Sequence, residues 1–424
     1  MTAPGTVSVI GLGYIGLPTA TILACHGVRV FGYDIEATTI EAINQGKLPF
    51  VEPDLAEHIL KARQTGMLTA AGTIHEAEAY VIAVPTPLIP EKEQADLTAV
   101  HAAARAIATQ ARAGSLVILE STSPPGTTEM VGRWIVAERP DLAGSDGMPR
   151  LHLAHCPERV LPGQIMKELV DNDRIVGGVT PEAAHRSADL YRIFCRGEIL
   201  VTDARTAEMT KLVENSFRDV NIAFANELSL ICDSLGVDVW RLIELANHHP
   251  RVNILQPGPG VGGHCIAVDP YFIAQADPKN STLIRTARTV NRTKSGWVID
   301  KVSGEVADRE APVIAALGLA FKANIDDLRE SPAVEIVAAL ADRFPQGAIR
   351  AVEPHIEALP PVLAQRPNVT LDTIEDAVND ADAVVLLVDH ELFRAIPRLH
   401  ANTKVVDTRG AWPSLSRAKA RGLR

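Results

Sequence analysis

The residue in this chain best suited to covalent chemistry is a thiol at the end of a glycine-rich loop. Pro257–Pro270 reads Pro-Gly-Pro-Gly-Val-Gly-Gly-His-Cys-Ile-Ala-Val-Asp-Pro, with Gly258, Gly260, Gly262 and Gly263 ahead of Cys265, and Asp269 beyond it. It has neither a helical nor a strand period. Glycines at this density mean a backbone that turns sharply or lies close against something. A cysteine presented there, near a carboxylate, suits a nucleophile that must meet a bulky substrate. Taken alone, the stretch also fits a small buried cysteine, the commoner fate of a free thiol.

A second group lies upstream. Thr206 to Leu235 contains neither Gly nor Pro and predicts one long helix, a spine between domains or subunits. Its apolar positions include Leu212, Val213, Phe217, Val220 and Phe224, and against them runs a polar line of Glu208, Lys211, Asn215 and Arg218. A solvated face explains such a line equally well, yet a lysine and an amide one turn apart can also hold an oxyanion. His248 and His249 have no third ligand at a usual spacing, so no metal site is expected.

These residues need elements to position them. Val7–Ile10 is a short apolar run, followed by Gly11-Leu-Gly13-Tyr14-Ile15-Gly16, a helical pattern, and a second apolar run, Val28–Tyr33, that ends at Asp34. Strand, glycine turn, helix, strand and acid in this order form the dinucleotide fingerprint. Gly11 permits the turn, Gly13 admits a pyrophosphate, Gly16 lets helix and strand pack, and Asp34 binds the ribose hydroxyls and repels a 2′-phosphate. NAD is therefore expected over NADP. Further strands at Tyr80–Val84, Leu116–Glu120 and Leu151–His155 run into polar loops containing Thr86, Thr122, Thr128, Glu158 and Arg159. Ligands in open α/β sheets bind at such strand ends, although each threonine also fits a helix cap. A second helical pattern spans Thr282 to Ala307. Beyond it Val313–Leu317, Ala348–Val352, Ala383–Val388 and Lys404–Asp407 read as a second doubly wound sheet, with Phe321, Lys322, Arg329 and Arg409 near strand ends. Basic residues there suit a diphosphate.

The 424 residues carry 46% hydrophobic and only 4% aromatic side chains, as expected where aliphatic strands fill α/β cores. A net charge of −11 argues against nucleic-acid binding. The five cysteines, Cys25, Cys156, Cys195, Cys232 and Cys265, form no CxxC pair and propose no disulfide framework. A strand is reached within six residues, which leaves no room for a signal peptide, and no apolar run approaches membrane-spanning length. No membrane association is expected, and the cytoplasm is the expected compartment.

With these motifs assembled, the chain resembles the UDP-glucose/GDP-mannose 6-dehydrogenase family over nearly its whole length. The resemblance rests on the dinucleotide turn, Glu120-Ser-Thr122, Cys156-Pro-Glu158, Lys211 with Asn215, Gly262-Gly-His-Cys265 with Asp269, and Phe321-Lys322 through Arg329-Glu330-Ser. It implies an α/β protein with two doubly wound, Rossmann-like domains joined by a long central helix and a helical middle region. Residues 1–200 form the NAD-binding domain, 201–308 the helical middle with the catalytic loop, and 309–424 the UDP-sugar-binding domain.

The resemblance also implies a UDP-sugar substrate, NAD as cofactor and a homodimer. It makes Cys265 the nucleophile, Lys211 and Asn215 the oxyanion holders, Asp269 and Glu158 the base candidates, and Thr122 a water-positioning residue. Substrate contacts carry over to Arg159, Val160, Lys211, Asn215, Arg218, His249, Arg251, Gly262, Phe321, Lys322, Arg329 and Arg409. Arg251 acts across the dimer interface in relatives. Glucose-oxidising members usually carry a second glutamate where Pro162 stands, which argues against glucose here. Two other readings fit fewer of the motifs: a single-step hydroxyacid dehydrogenase, which needs no Cys265, and a non-catalytic regulator that binds NAD or a nucleotide sugar.

Overall fold

The computed structural model describes residues 4–50, 52–145, 147–161, 163–263, 265–395, 399–400 and 402–412. Pro162 and His264, both parts of motifs above, lie outside the described residues. The chain divides into two compact units. One comprises the residues through Glu214 with Tyr271–Pro278; the other comprises Asn215–Pro270 and the chain from Lys279 onward.

The first unit is built on β1 (Thr6–Ile10), β2 (Arg29–Tyr33), β3 (Leu68–Ala71), β4 (Ala79–Ile82), β7 (Leu116–Leu119), β8 (His152–His155), β9 (Arg174–Gly178) and β10 (Ile199–Asp203). A short ribbon, β5 (Leu88–Ile89) and β6 (Gln94–Ala95), lies outside the sheet. The sheet runs β10-β9-β8-β7-β4-β1-β2-β3. Its pairs are parallel except β8 with β9. From β3 to β8 this is the dinucleotide-binding order, with the switch between β1 and β4. Val7, Val9, Val81, Ile82, Ile118 and Ala154 are buried because helices cover both faces.

The second unit repeats the plan. β11 (Val313–Leu317), β12 (Ala348–Val352), β13 (Val369–Leu371), β14 (Ala383–Leu386) and β15 (Lys404–Asp407) run β13-β12-β11-β14-β15, all parallel. Two Rossmann-like sheets and a helical middle region are thus present as expected. The long helix spans Ala204–Leu235, and a second spans Thr282–Glu305. β3, β9, β10 and β13 were not read from the sequence. β3, β10 and β13 stand at sheet edges. β9 ends in Gly177-Gly178, residues depleted in strands. There the glycines are steric: a Cβ on Gly178 would lie 2.3 Å from the Ala184 nitrogen.

One core residue carries a cost. His155 at the end of β8 is fully buried, and neither ring nitrogen has a hydrogen-bond partner among the described residues. Burial drives its pKa down to about 3. Below the ordinary histidine value of 6.5 the unfolded chain binds a proton that the folded chain refuses, so stability falls as pH drops from 6.5 toward 3. The loss is about 1.4 kcal/mol per pH unit. His155→Leu is expected to flatten this part of the profile, measured as denaturant midpoints between pH 7 and pH 4; an unchanged slope contradicts the assignment.

Candidate active site

At the first switch point Gly11 has φ +91°, and a Cβ there would lie 2.7 Å from the Ala83 carbonyl oxygen. On Gly16 it would meet the Gly11 carbonyl. A Cβ on Gly13 would meet nothing within 4 Å, which leaves open space over the turn. The Gly16–Cys25 helix behind it has no side-chain cap and no acidic residue in its first turn. Its amide donors and its dipole therefore fit a pyrophosphate. Asp34 accepts from Leu12 N at 2.7 Å through Oδ2 and from Glu36 N at 3.0 Å through Oδ1. The acid thus holds the glycine turn. Tyr14 is 45% exposed and stacks on Phe50; Ile15 is half-buried.

Beyond β7 and β8 lies a buried polar network. Glu120 accepts from Tyr191 Oη at 2.6 Å and from Thr19 Oγ1 at 3.3 Å. Burial, reinforced by the Glu158 charge, pushes its carboxyl up to about 7. Arg174 donates from Nη2 to Glu158 Oε2 at 3.0 Å and from Nη1 toward Cys156 Sγ at 3.7 Å, and lies over the Tyr191 ring. Cys156 is fully buried, and burial pushes its thiol up to about 12. A buried thiol held protonated is a poor nucleophile, because the thiolate is the reactive form.

The threonines are engaged locally. Thr86 Oγ1 donates to the Thr122 carbonyl. Thr128 donates through N and Oγ1, each at 2.7 Å, to Glu208 Oε1, and Gly126 N donates to the other oxygen. Glu208 is 1% exposed. It is therefore a fixed strut between the long helix and the loop after β7 and does not belong to a solvated face. Of the rest of that line in the first unit, Lys211 is half-buried. Arg159 pairs with Glu214 at 2.9 Å, and Val160 packs on the core.

In the second unit the glycine loop lies against the strand-end loops of the second sheet. A Cβ on Gly258 would meet Arg409 Nη1 at 2.6 Å, and one on Gly260 would meet Pro332. On Gly262 it would lie 2.4 Å from the Glu330 carbonyl oxygen and 3.0 Å from Phe321 Cβ; on Gly263 it would meet the Phe321 ring. Gly263 N also donates to the Arg329 carbonyl at 3.2 Å. The loop is supported from the helices as well. Asn226 Oδ1 accepts from Gly258 N at 2.9 Å, and Ser295 Oγ donates to the Pro259 carbonyl at 3.2 Å. The structure thus joins Gly262, Phe321, Arg329 and Arg409 around one loop.

Cys265 is exposed at the end of that loop. Its carbonyl accepts from Asp269 N at 2.9 Å, a turn that leads into the Asp269–Ala276 helix. Asp269 is 3% exposed and accepts from Asn215 Nδ2 at 2.5 Å. Arg329 is ion-paired with Asp327 at 2.6 Å and Arg409 with Asp389 at 2.7 Å, while Lys322 is exposed. Arg218, His249 and Arg251 are also exposed. Sequence reading missed Arg174, Tyr191, Glu208 as a strut, Asn226, Glu353 and His390. Only Glu353 had a signal: it follows a strand of the second sheet as Asp34 follows β2.

A glycine turn at the switch point of a dinucleotide-ordered sheet, followed by a helix without a side-chain cap, defines a dinucleotide-binding protein. Residues 5–195 match the NAD binding domain of the UDP-glucose/GDP-mannose dehydrogenase family, 205–293 its central domain and 315–414 its UDP binding domain. The chain belongs to that family, and is thus an NAD-using nucleotide-sugar dehydrogenase. It is 54% identical over 411 residues to the NDP-N-acetyl-D-galactosaminuronic acid dehydrogenase of Ralstonia nicotianae, covering 96% of each chain. It is 52% identical over 419 residues to the UDP-N-acetyl-D-mannosamine dehydrogenase of Escherichia coli, covering 96% of this chain and 99% of that one. Among solved structures, a UDP-D-ManNAc dehydrogenase from Pyrococcus horikoshii matches with a TM-score of 0.83 at 37% identity, covering 96% of each. Among the described residues, no helix is long and apolar enough to cross a membrane.

The two cysteines make a direct test. Brief iodoacetamide treatment of the native enzyme is expected to label Cys265 and leave Cys156 unmodified by peptide mass spectrometry. Inactivation should track the Cys265 adduct; inactivation that tracks Cys156 reverses the assignment.

Proposed function

We propose that this enzyme oxidises the C6 alcohol of UDP-N-acetyl-D-mannosamine twice, giving UDP-N-acetyl-D-mannosaminuronate. The observation that carries the reading is an exposed Cys265 on a loop packed against Phe321, Arg329 and Arg409. Thiol and nucleotide contacts then belong to one rigid assembly. NAD+ bound at the glycine turn supplies the hydride acceptor for both oxidations.

The first oxidation leaves an aldehyde at C6. The Cys265 thiolate adds to it, forming a C–S bond and a thiohemiacetal whose oxygen carries the developing charge. Lys211 and the Asn215 amide stabilise that oxygen. Asn215 has one amide hydrogen committed to Asp269 and a second left to donate. Loss of the second hydride gives a thioester. Water, positioned by Thr122 and deprotonated by Asp269 or Glu158, cleaves it to the carboxylate and frees the thiol. Arg174 holds Glu158 for that role. Lys322, Arg329 and Arg409 meet the diphosphate, the two arginines exchanging Asp327 and Asp389 for phosphate oxygens. Arg159, Val160, Arg218, His249 and Arg251 complete the sugar contacts. Asp34 sets the preference for NAD+.

The three proteins named above all carry 2-acetamido sugars in their names, which supports an N-acetylhexosamine over glucose. The Ralstonia relative favours a second reading, the galacto-configured sugar. In a panel of UDP-sugars with NAD+, UDP-N-acetylmannosamine is expected to yield two NADH per sugar and a product 14 mass units heavier. The kcat/KM for UDP-glucose should be lower by about 10²-fold or more, since buried groups that bond the amide would be left unpaired. Comparable values for the two sugars overturn the sugar assignment. One NADH per sugar overturns the cysteine mechanism, and Cys265→Ala should abolish complete oxidation.

We further propose a homodimer formed on the long helix. Phe217, Phe224, Ile231 and Leu235 are 67%, 50%, 47% and 69% exposed in a row at helical spacing. They are apolar, yet exposed among the described residues. A row of this kind fits an intersubunit face, and Arg251 would serve the partner's site. Phe217→Asp with Phe224→Asp is expected to shift sedimentation to the monomer; an unchanged dimer places the interface elsewhere. A cytoplasmic location accords with NAD and nucleotide-sugar substrates.

A further inference from the structure

The loop after β11, from Gly318 to Asn324, carries Phe321 and Lys322. Two buried side chains from other strand ends of the same sheet hold it. Glu353, just beyond β12, is 4% exposed, and His390, in the loop after β14, is fully buried. Glu353 Oε2 accepts from Leu319 N at 2.8 Å and from Ala320 N at 2.9 Å, and Oε1 accepts from His355 N at 3.2 Å. His390 Nδ1 lies 2.9 Å from Asn324 N, and its Nε2 lies 3.1 Å from Glu353 Oε2.

This geometry fixes the tautomer. A backbone N–H only donates, so Nδ1 is unprotonated and accepts from Asn324. The ring proton is then on Nε2 and donates to Glu353. Asn324 has φ +62°, and its Oδ1 accepts from Glu391 N at 3.0 Å. The loop is therefore pinned at its first turn by Glu353 and at its far end by His390, and the two anchors are bonded to each other. Phe321 and Lys322 lie between the pins. Glu353, His355 and His390 also have ligand atoms within 4.8 Å of one another, as a metal site would. The Nδ1 lone pair and the Nε2 proton are already committed, so the trio is an anchor.

We infer that Glu353 and His390 are positioning residues for nucleotide-sugar binding: together they set the 319–324 backbone so that Lys322 and Phe321 meet the nucleotide diphosphate without a loop-ordering cost. This rests on the nucleotide-sugar reading of the site. Lys322 is exposed and its side chain is flexible. Its contribution to affinity depends on how little of the loop must be ordered on binding. The pins touch neither Cys265 nor the dinucleotide turn among the hydrogen bonds described. Their loss should weaken nucleotide binding and spare the chemistry and the cofactor.

The test uses the full-length enzyme, with UDP binding measured by calorimetry alongside steady-state kinetics. His390→Leu removes both bonds. His390→Asn keeps an acceptor at the position of Nδ1. His390→Leu is expected to raise the UDP Kd and the UDP-sugar KM about tenfold, the worth of one buried hydrogen bond. The kcat and the KM for NAD+ should stay within about twofold. His390→Asn should recover most of the loss, which a merely structural role would not do.

An unchanged UDP Kd in His390→Leu overturns the inference, as does a parallel rise in the KM for NAD+. If the Leu variant does not fold, hydrogen exchange in the unmodified enzyme decides. The Asn324 amide should be strongly protected without any nucleotide, and exchange at open-loop rates refutes the pin. A wild-type enzyme that neither binds UDP nor forms NADH removes the nucleotide-sugar reading itself, and the inference with it.

Discussion

The second unit depends on one close approach of main chain to main chain. At Gly262 the backbone lies so near the Glu330 carbonyl that a Cβ has no place, and at Gly263 the Phe321 ring fills the same space. Glycine is used here because the two chains must touch. The contact makes the loop bearing Cys265 and the loops bearing Phe321 and Arg329 a single mechanical element. Glu330 takes up part of the strain, with φ +52°. A nucleotide held by these loops is therefore registered against the thiol by backbone packing, which shifts less than any pair of side chains. The catalytic value of such an arrangement is orientation, because a reacting atom displaced by about 1 Å loses much of the advantage of being held at all.

The same economy appears in how each sheet controls its first loop. Asp34 follows β2 and bonds Leu12 N; Glu353 follows β12 and bonds Leu319 N and Ala320 N. In both units the acid sits beside the strand that begins the fold and ties down the loop leaving it. In the first unit the loop closes with the GxGxxG spacing and leaves room over Gly13 for a dinucleotide. In the second, Gly318 has φ +94° and packs against Val388, and no second or third glycine follows in that loop. The freed length carries Phe321 and Lys322 instead. One topology thus serves two ligands, and the difference lies in the loop after the first strand.

Much of this was legible in the sequence because strand, turn and acid are local patterns. The dinucleotide turn, the second sheet and the long helix all follow from apolar runs and their punctuation. The thiol loop was legible as a glycine-dense turn that presents Cys265, but the reason for its glycines was not, since Arg409, Phe321, Glu330 and Pro332 come from distant parts of the chain. Glu208 shows the limit in another form. Its helical spacing with Lys211 and Asn215 was readable, whereas its burial against Thr128 and Gly126 was not. Periodicity tells which residues share a face, and only tertiary packing tells what that face meets. The exposed row from Phe217 to Leu235 makes the converse point: the apolar positions of the long helix were readable, whereas their exposure among the described residues was not.

The buried network of the first unit shows why two carboxylates near one site need not behave alike. Arg174 is the cation within it, and its hydrogen bonds go to Glu158, Cys156 and the Leu169 carbonyl. Glu120 receives only the neutral hydroxyls of Tyr191 and Thr19. Burial therefore acts on Glu120 with little direct compensation, and its carboxyl rises to about 7. Ionising it also places a second negative charge near Glu158, a cost that the shared arginine only partly offsets. The guanidinium divides the pair by contact. Glu158 has a bonded counter-ion, and Glu120 can keep a proton near neutral pH. That division of roles rests on which acid the arginine bonds, since both acids lie at the same edge of the sheet.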